Sequence, residues 1–263
     1  LLNSKNAWRI LGQESYSYEI AQDFDYAMSD KIVVVPIGNA GNITAVMNGF
    51  LKFFEIGIID SLPMIIGVQS IHANPVYRYY RQPEGPSRQF EPVTVKPSVA
   101  QAAMIGNPVS MPRVIQLVER YNQTAGQQRV HVVEVTEQDI MDWQLTANRN
   151  GHIACTHGGE SLAGLQVALT RGLVDSNATA IVDSTAHALK FSGFQDMYFQ
   201  GSFPDEFNVR SKPELVNHPQ YVHPKHLEKV PAPGKPLDED AFRIFVNAVS
   251  QEIADTLGLK KKT

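Results

Sequence analysis

Short apolar runs alternate along the chain with longer segments in which apolar positions recur every three to four residues. Five apolar runs predict buried strands, at residues 31–35, 64–68, 131–135, 152–156 and 180–183. The amphipathic repeat predicts helices at 43–57, 160–171 and 238–258, with a further helix start at 136–139. Strands that are apolar throughout are buried on both faces, and their alternation with helices implies βαβ crossovers. The sequence therefore predicts an α/β fold with a mainly parallel twisted sheet flanked by helices.

Two stretches depart from this alternation. Residues 78–97 carry three arginines and four prolines, which predicts a long ordered loop. Residues 203–236 are rich in proline, histidine and lysine, and we expect them to be irregular. We therefore expect a large-domain portion at 1–200. An irregular segment and a C-terminal helix that packs on the same domain would follow at 201–263.

Composition argues against some classes of partner. The net charge is −4 and no dense basic cluster occurs, so we do not expect nucleic acid as a partner. No apolar run approaches the roughly 18 to 20 residues of a membrane span, so we expect no membrane partner. The single cysteine, Cys155, leaves no internal disulfide and fits a reducing, cytoplasmic compartment.

The first candidate site is a loop between a predicted strand and a predicted helix, with the sequence Gly38-Asn39-Ala40-Gly41-Asn42. It is neither a Rossmann fingerprint, which needs a leading G-x-G, nor a Walker A loop, which needs Gly-Lys-Ser/Thr. Glycines allow a tight turn and close approach to a ligand, and the N-terminus of the next helix attracts an anion. The two asparagines add amide donors. From these residues alone, a phosphate-binding loop and a plain turn both remain open.

The second candidate is Ser161, within the sequence GESLA. This approximates the G-x-S-x-G elbow of serine hydrolases, with alanine for the last glycine. A hydrolase also needs an acid and a histidine from separate loops, whereas Asp183 and His187 lie only four residues apart. We favour Ser161 as a residue near a helix N-terminus that supports a second anion or cofactor contact, and keep the nucleophile as the alternative.

The third candidate is the polar segment after the predicted strand at 180–183. It delivers two hydroxyls, an imidazole and an ammonium within a few residues: Ser184, Thr185, His187 and Lys190. A neutral hydroxyl at a strand end can hydrogen-bond a ring nitrogen without requiring that nitrogen to be protonated. The alternative is a solvated strand exit.

Other residues with reactive side chains have simpler interpretations. His218, His223 and His226 have spacings found in metal sites, but prolines interrupt them and no acidic or cysteine ligand accompanies them. We expect surface histidines and no metal site. Cys155 lies in a predicted strand, and we expect a core residue rather than a nucleophile.

Taken in chain order, several segments resemble the threonine synthase family of fold type II enzymes that depend on pyridoxal phosphate. These segments are NSKNAWRILGQESYSYEIA, VVPIGNAGN, GVQSIHANPVY, MIGNPVSMPR, HGGESLAG and STAHALKF. The resemblance runs from about residue 3 to residue 191. It implies that residues 1–200 belong to a cofactor-binding large domain similar to that of the tryptophan synthase β subunit.

The resemblance also implies a site and a reaction. Residues 38–42 would hold the phosphate of pyridoxal 5′-phosphate, chiefly through backbone N–H groups, and Thr185 would hydrogen-bond the pyridine nitrogen. The small-molecule substrate would be O-phospho-L-homoserine, converted with water to L-threonine and phosphate. Monomers and homodimers are both compatible with the resemblance.

The sequence departs from the family in one important respect. The Schiff-base lysine of the family lies in an N-terminal Ser-x-Lys-Asp-type motif, and no such motif occurs here. Lys190 and Lys52 lie in segments that do not correspond to it. We therefore expect the chain to be the later part of a longer enzyme, with the lysine upstream and no catalytic residue assigned within these 263 residues.

Three other functions remain open at this point. Another pyridoxal-phosphate enzyme of β-replacement or β-elimination, such as a cysteate synthase or an amino-acid dehydratase, would use the same scaffold. A serine hydrolase would use Ser161. A non-catalytic interaction protein could have kept the fold without the lysine.

Overall fold

The fold is described by a computed structural model that covers residues 6–217, 222, 224–225, 227, 231–232 and 234–260. Its internal contacts divide the chain into two units, with the boundary between Val216 and Asn217. The strands are β1 (Lys31–Pro36), β2 (Met64–Ser70), β3 (Val130–Val135) and β4 (Thr179–Val182). The helices of the first unit are α1 (Ala7–Gln13), α2 (Ser15–Asp23), α3 (Gly41–Glu55), α4 (Pro75–Arg81), α5 (Met111–Ala125), α6 (Glu137–Arg149), α7 (Thr156–Thr170) and α8 (Ser192–Gln200). The second unit contains α9 (Glu239–Thr256).

The four strands form one parallel sheet in the order β3-β2-β1-β4. In the register of the sheet, Val33 of β1 lies between Ile65 of β2 and Ile181 of β4. Helices cover both faces: Phe50 of α3 belongs to the buried cluster on one side, and Ala163 of α7 belongs to the cluster on the other. The predicted parallel α/β fold is therefore confirmed, and the loop after β1 leaves the middle of the sheet.

Four of the five predicted strands are present, and the prediction of a strand at 152–156 is wrong. Only Ala154 forms a bridge there, and it pairs in an antiparallel sense with His187. The Cys155 N–H donates to the Ala186 carbonyl, so this segment lies along the loop that follows β4 instead of joining the sheet. Because α7 already begins at Thr156, the segment has no length left for further pairing.

The observed helices agree with some of the predicted elements and differ from others. The predicted start at 136–139 is confirmed, since Thr136 and Asp139 cap α6 reciprocally. The predicted loop at 78–97 begins four residues too early, because Pro75 occupies the first turn of α4, where its fixed φ suits a helix. Helix α5 was not predicted, although its buried residues recur at helical spacing. Helix α8 was not predicted either.

The later part of the chain agrees with its predicted local character where the structure describes it. Residues 203–216 are irregular except for two short 3-10 turns, and α9 occupies the predicted C-terminal helix with Asp238 as its N-cap. His218, His223 and His226 lie outside the described residues. The domain boundary at residue 200 and the packing of α9 on the first unit stay predictions.

The close contact between α7 and β2 can be tested with glycine substitutions. We expect Gly164→Ala to lower the free energy of unfolding by about 1–3 kcal/mol, because overpacking strains a buried contact. An added Cβ would lie 2.2 Å from Cγ2 of the buried Val68. The control is Gly193→Ala in α8, where an added Cβ meets nothing within 4 Å. Urea unfolding should show no loss for this control, and equal losses in both variants would contradict the contact.

Candidate functional site

The loop after β1 approaches a neighbouring turn closely. An added Cβ on Gly38 would lie 3.1 Å from the carbonyl oxygen of Ala102 and from the Cα of Ala103, so glycine permits this approach. The left-handed residue of the loop is Ala40 (φ 62°), which directly precedes α3. Neither Gly38 nor Gly41 has a positive φ. The expectation that the glycines provide the tight turn is therefore corrected: Gly38 provides space, and Ala40 makes the turn.

The same loop presents a series of free backbone donors. Within the described residues, the N–H groups of residues 38–43 donate to no protein acceptor. The N-cap of α3, Ala40, supplies no side-chain acceptor, and the first turn of the helix contains no acidic residue. Buried N–H groups are normally paired, and a helix N-terminus carries partial positive charge. Residues 38–43 therefore fit a bound anion such as a phosphate.

A hydrogen bond joins this loop to the loop after β4. The Asn42 Nδ2 donates to Asp183 Oδ2 over 2.8 Å, and Asp183 Oδ1 accepts from the Thr185 N–H over 3.2 Å. Asp183 is only 8% exposed. Burial raises the pKa of this carboxyl, and the hydrogen bonds from Asn42 and Thr185 act in the opposite direction. The structure thus brings together the two predicted parts of the site, although the Asn42 amide faces Asp183.

Thr185 lies on a loop that is fixed from its other side. The Ala188 N–H donates to the Ile153 carbonyl over 3.2 Å, beside the bridge between Ala154 and His187. Thr185 itself is exposed. Its side chain is accessible to a ligand while its backbone is held by Asp183 on one side and by residues 153–155 on the other.

Cys155 contacts two polar side chains of the site, which the prediction of a simple core residue missed. Its Sγ lies 3.7 Å from His157 Nδ1 and 3.7 Å from Thr185 Oγ1. Burial raises the pKa of the Cys155 thiol, but hydrogen bonds from His157, Gly158 and Thr185, together with a positive charge on His157, outweigh it and bring the pKa to about 6. The Cys-x-His spacing in the sequence could have drawn attention to this pair.

Ser161 has a structural role. It is fully buried, and its one hydroxyl hydrogen is shared between the Asp183 carbonyl, 2.9 Å from Oγ, and the His157 carbonyl, 3.2 Å from Oγ. This contradicts both the exposed nucleophile of a hydrolase and a contact with a second anion. Ser161 instead ties α7 to the backbone of the loop after β4.

The two lysines that the sequence analysis considered have other environments. Lys52 forms an ion pair with the buried Glu14. Lys190 is exposed, and its ammonium lies 5.4 Å from the ring centre of Phe191. Neither observation gives these residues a place at the loop of residues 38–43.

A buried acid lies behind the site. Glu160 has no exposed surface, and neither of its carboxyl oxygens has a hydrogen-bond partner. Burial, followed by the charge of Glu137, raises the pKa of Glu160 well above its ordinary value against an opposing effect of the Ser70 backbone, and Cys155 adds a smaller rise. Glu137 is itself buried but accepts hydrogen bonds from Ser98 and from the Val99 N–H. Of these two acids, Glu160 is therefore the one whose neutral form burial favours.

Comparison with known proteins assigns the chain to a family. Residues 1–183 match the family of pyridoxal-phosphate dependent enzymes. The chain belongs to this family. Threonine synthase 2 from Arabidopsis thaliana, a chloroplastic protein, is 35% identical over 192 residues, or 73% of this chain and 35% of the relative. Threonine synthase from Methanocaldococcus jannaschii is 33% identical over 191 residues, or 72% of this chain and 44% of the relative.

A solved structure of a threonine synthase supports the fold. The crystal structure of threonine synthase from Escherichia coli matches with a TM-score of 0.59 and 21% identity, over 78% of this chain and 44% of that chain. The likeness confirms the predicted fold class. The family member described here thus spans less than half the length of these relatives.

Two kinds of feature are missing from the described residues. No described helix combines the length and apolar content needed to cross a membrane. In the same residues, no three His, Cys, Asp or Glu side chains are grouped so that they could hold a metal ion.

The bond between Asn42 and Asp183 can be tested through stability. We expect Asn42→Ala to lower the free energy of unfolding by about 1–3 kcal/mol, because it leaves the buried Asp183 carboxyl without its amide donor. The control is Asn39→Ala, since the described residues offer the Asn39 side chain no hydrogen bond. Urea unfolding of both variants is the measurement. A loss for Asn39→Ala as large as that for Asn42→Ala would contradict the proposed link.

The burial of Glu160 has a consequence for the dependence of stability on pH. Its folded-state pKa is raised, so its contribution to stability is complete below the unfolded value of about 4.3 and is lost as the pH rises through the folded value. Glu160→Gln keeps the size of the side chain and stays neutral. We expect this variant to gain stability relative to the wild type as the pH rises from about 5 to 8, measured by urea unfolding. A stability difference that is constant over this range would disprove the raised pKa.

Proposed function

We propose that this chain carries part of the pyridoxal-phosphate site of a threonine synthase, which converts O-phospho-L-homoserine and water to L-threonine and phosphate. The single observation that supports it most is that the N–H groups of residues 38–43 find no acceptor in the part of the chain that the structure describes, which fits a phosphate. The names of the relatives from Arabidopsis thaliana and Methanocaldococcus jannaschii support this choice of reaction.

In this proposal the two linked loops bind different parts of the cofactor. The backbone N–H groups of Gly38, Asn39, Ala40, Gly41 and Asn42 hold the cofactor phosphate. When bound, pyridoxal phosphate supplies an electron sink for proton removal next to the amino group of the substrate.

The loop after β4 serves the other end of the cofactor. The Thr185 hydroxyl would form a hydrogen bond with the ring nitrogen. Asp183 keeps the Thr185 loop at a fixed distance from the phosphate loop. A binding group held on short loops at the ends of rigid strands loses little freedom when the ligand arrives. The proposal assigns no Schiff-base lysine and no other catalytic residue within the 263 residues.

The alternatives differ in how the observations bear on them. A cysteate synthase or an amino-acid dehydratase would use the same two loops, so only the substrate separates them from a threonine synthase. A non-catalytic protein with this fold would bind the cofactor without turnover. The buried position of Ser161 removes the support for a hydrolase. A cytoplasmic location and a homodimer stay predictions.

Cofactor binding can be tested without a Schiff base. 4′-Deoxypyridoxine 5′-phosphate lacks the aldehyde and so cannot react with surface lysines. We expect the chain to bind it more tightly than 4′-deoxypyridoxine, which lacks the phosphate, in equilibrium fluorescence titrations. Asn39→Asp places a negative charge on the loop and should weaken binding of the phosphate ester at least about tenfold, or roughly 1.4 kcal/mol.

The matched control for this test is Asn39→Ala, which removes the same amide without adding charge. It should bind the phosphate ester within about twofold of the wild type, and neither variant should alter binding of 4′-deoxypyridoxine. Equal affinity of the wild type for both compounds would contradict the assignment of residues 38–43 to phosphate binding.

The reaction itself is tested on the longest open reading frame that contains this chain, with phosphohomoserine, phosphoserine and threonine as competing substrates. Release of phosphate together with threonine from phosphohomoserine alone is the expected result.

A further inference from the structure

Two polar side chains from different segments contact the sulfur atom of Cys155. Cys155 is the N-cap of α7, His157 lies in the first turn of that helix, and Thr185 follows β4. The Sγ atom lies between the imidazole and the hydroxyl, 3.7 Å from each. Such distances suit hydrogen bonds that involve sulfur, which can act as a weak acceptor or, as S–H, as a weak donor.

The backbone decides which nitrogen of His157 carries the proton. The Ala102 N–H donates to His157 Nε2 over 3.1 Å, so Nε2 acts as an acceptor and the proton of the neutral ring resides on Nδ1. The Nδ1–H therefore points to Cys155 Sγ. The donor belongs to the turn that the phosphate loop approaches closely, since an added Cβ on Gly38 would lie 3.1 Å from the Ala102 carbonyl oxygen.

One lone pair of the sulfur thus accepts a hydrogen bond from the His157 Nδ1–H. The other side-chain contact of the sulfur is with Thr185. If the sulfur is a thiolate, it can only accept, and the Thr185 hydroxyl must give its hydrogen to the sulfur. Its oxygen lone pair then faces away from Cys155. If the sulfur is a thiol, its single hydrogen is directed to Thr185 Oγ1, and the hydrogen of the hydroxyl is released to point elsewhere.

We propose that Cys155 and His157 are positioning residues that set the direction of the Thr185 hydroxyl. The proposal rests on the proposed function, in which this hydroxyl meets the ring nitrogen of the cofactor. With the sulfur as thiolate, the hydroxyl offers oxygen to that nitrogen and favours its protonated form. With the sulfur as thiol, the hydroxyl offers hydrogen and favours the unprotonated form.

The other ionisable groups near the sulfur permit the thiolate. From α7, Glu160 lies close enough to interact with Cys155, but burial favours its neutral form. Asp183, on the loop after β4, interacts with His157, and its charge is compensated by Asn42. From the first turn of α7, the Gly158 N–H adds a donor to the sulfur.

The test uses the fact that the chain contains a single cysteine, so that the ultraviolet absorbance of its thiolate reports on Cys155 alone. Titration of the cofactor-free chain, with Cys155→Ser as the blank, should give a midpoint below that of an ordinary thiol, because the sulfur accepts hydrogen bonds. His157→Gln can still accept from Ala102 but loses the donor to sulfur, and should raise the midpoint by at least about one unit. His157→Asn keeps a donor near the position of Nδ1 and should raise it less.

Thr185 provides a second matched pair for the same titration. Thr185→Val keeps the shape of the side chain without the hydroxyl and should raise the midpoint, whereas Thr185→Ser should leave it within roughly 0.3 units of the wild type. A structural role alone would move neither midpoint. Wild-type, His157→Gln and Thr185→Val midpoints that coincide would overturn the proposal.

A second measurement examines the bound ring. In complexes with 4′-deoxypyridoxine 5′-phosphate, the absorbance of the ring reports its protonation, and Cys155→Ala should lower the ring midpoint by roughly half a unit or more. An unchanged ring midpoint would overturn the link from the sulfur to the cofactor. Failure of the analogue to bind would count against the proposed function, whereas the thiol titration decides the direction of the hydroxyl by itself.

Discussion

The hydrogen bond between Asn42 and Asp183 is the interaction on which the geometry of the site depends. It joins residues 141 positions apart in sequence, across two strands that are neighbours in the sheet. Parallel pairing of β1 with β4 brings their carboxyl ends to the same edge, but it does not fix the distance between the loops that follow. A single amide-to-carboxylate bond does so, and the same carboxylate also holds the backbone of Thr185.

A second route connects the same two loops through packing. Gly38 lies against Ala102, the Ala102 N–H holds His157, and His157 faces Cys155, which in turn contacts Thr185. Two independent connections therefore fix the positions of the two loops. A loop whose N–H groups find no acceptor among the described residues needs such rigid surroundings to keep its conformation. Each unpaired donor is unfavourable in the folded protein without a ligand, and rigid surroundings prevent the loop from relaxing to satisfy it. In the proposed function, a bound anion would accept hydrogen bonds from these N–H groups.

The sequence predicts the sheet well because its signal is local. A run such as residues 31–35 is apolar throughout, and only burial on both faces explains it. The short run at 152–156 has the same local pattern, yet its backbone pairs with residues some thirty positions later, which no local pattern reveals. The left-handed Ala40 and the partners of Cys155 also depend on distant contacts. The resemblance of ordered motifs located the two loops, but the bond that joins them required the structure.

The electrostatics of the region follow from its proposed ligand. A phosphate brings close to two negative charges, so each fixed anion nearby weakens binding. The structure limits these anions in different ways. Burial favours the neutral form of Glu160, Asp183 accepts hydrogen bonds from Asn42 and Thr185, and Glu137 accepts them from Ser98 and Val99. In the proposed arrangement the charge of a Cys155 thiolate is directed to His157 and Thr185. Because negative charges on Cys155 and Glu160 disfavour each other, a raised pKa of Glu160 favours the thiolate that the proposed direction of the Thr185 hydroxyl requires.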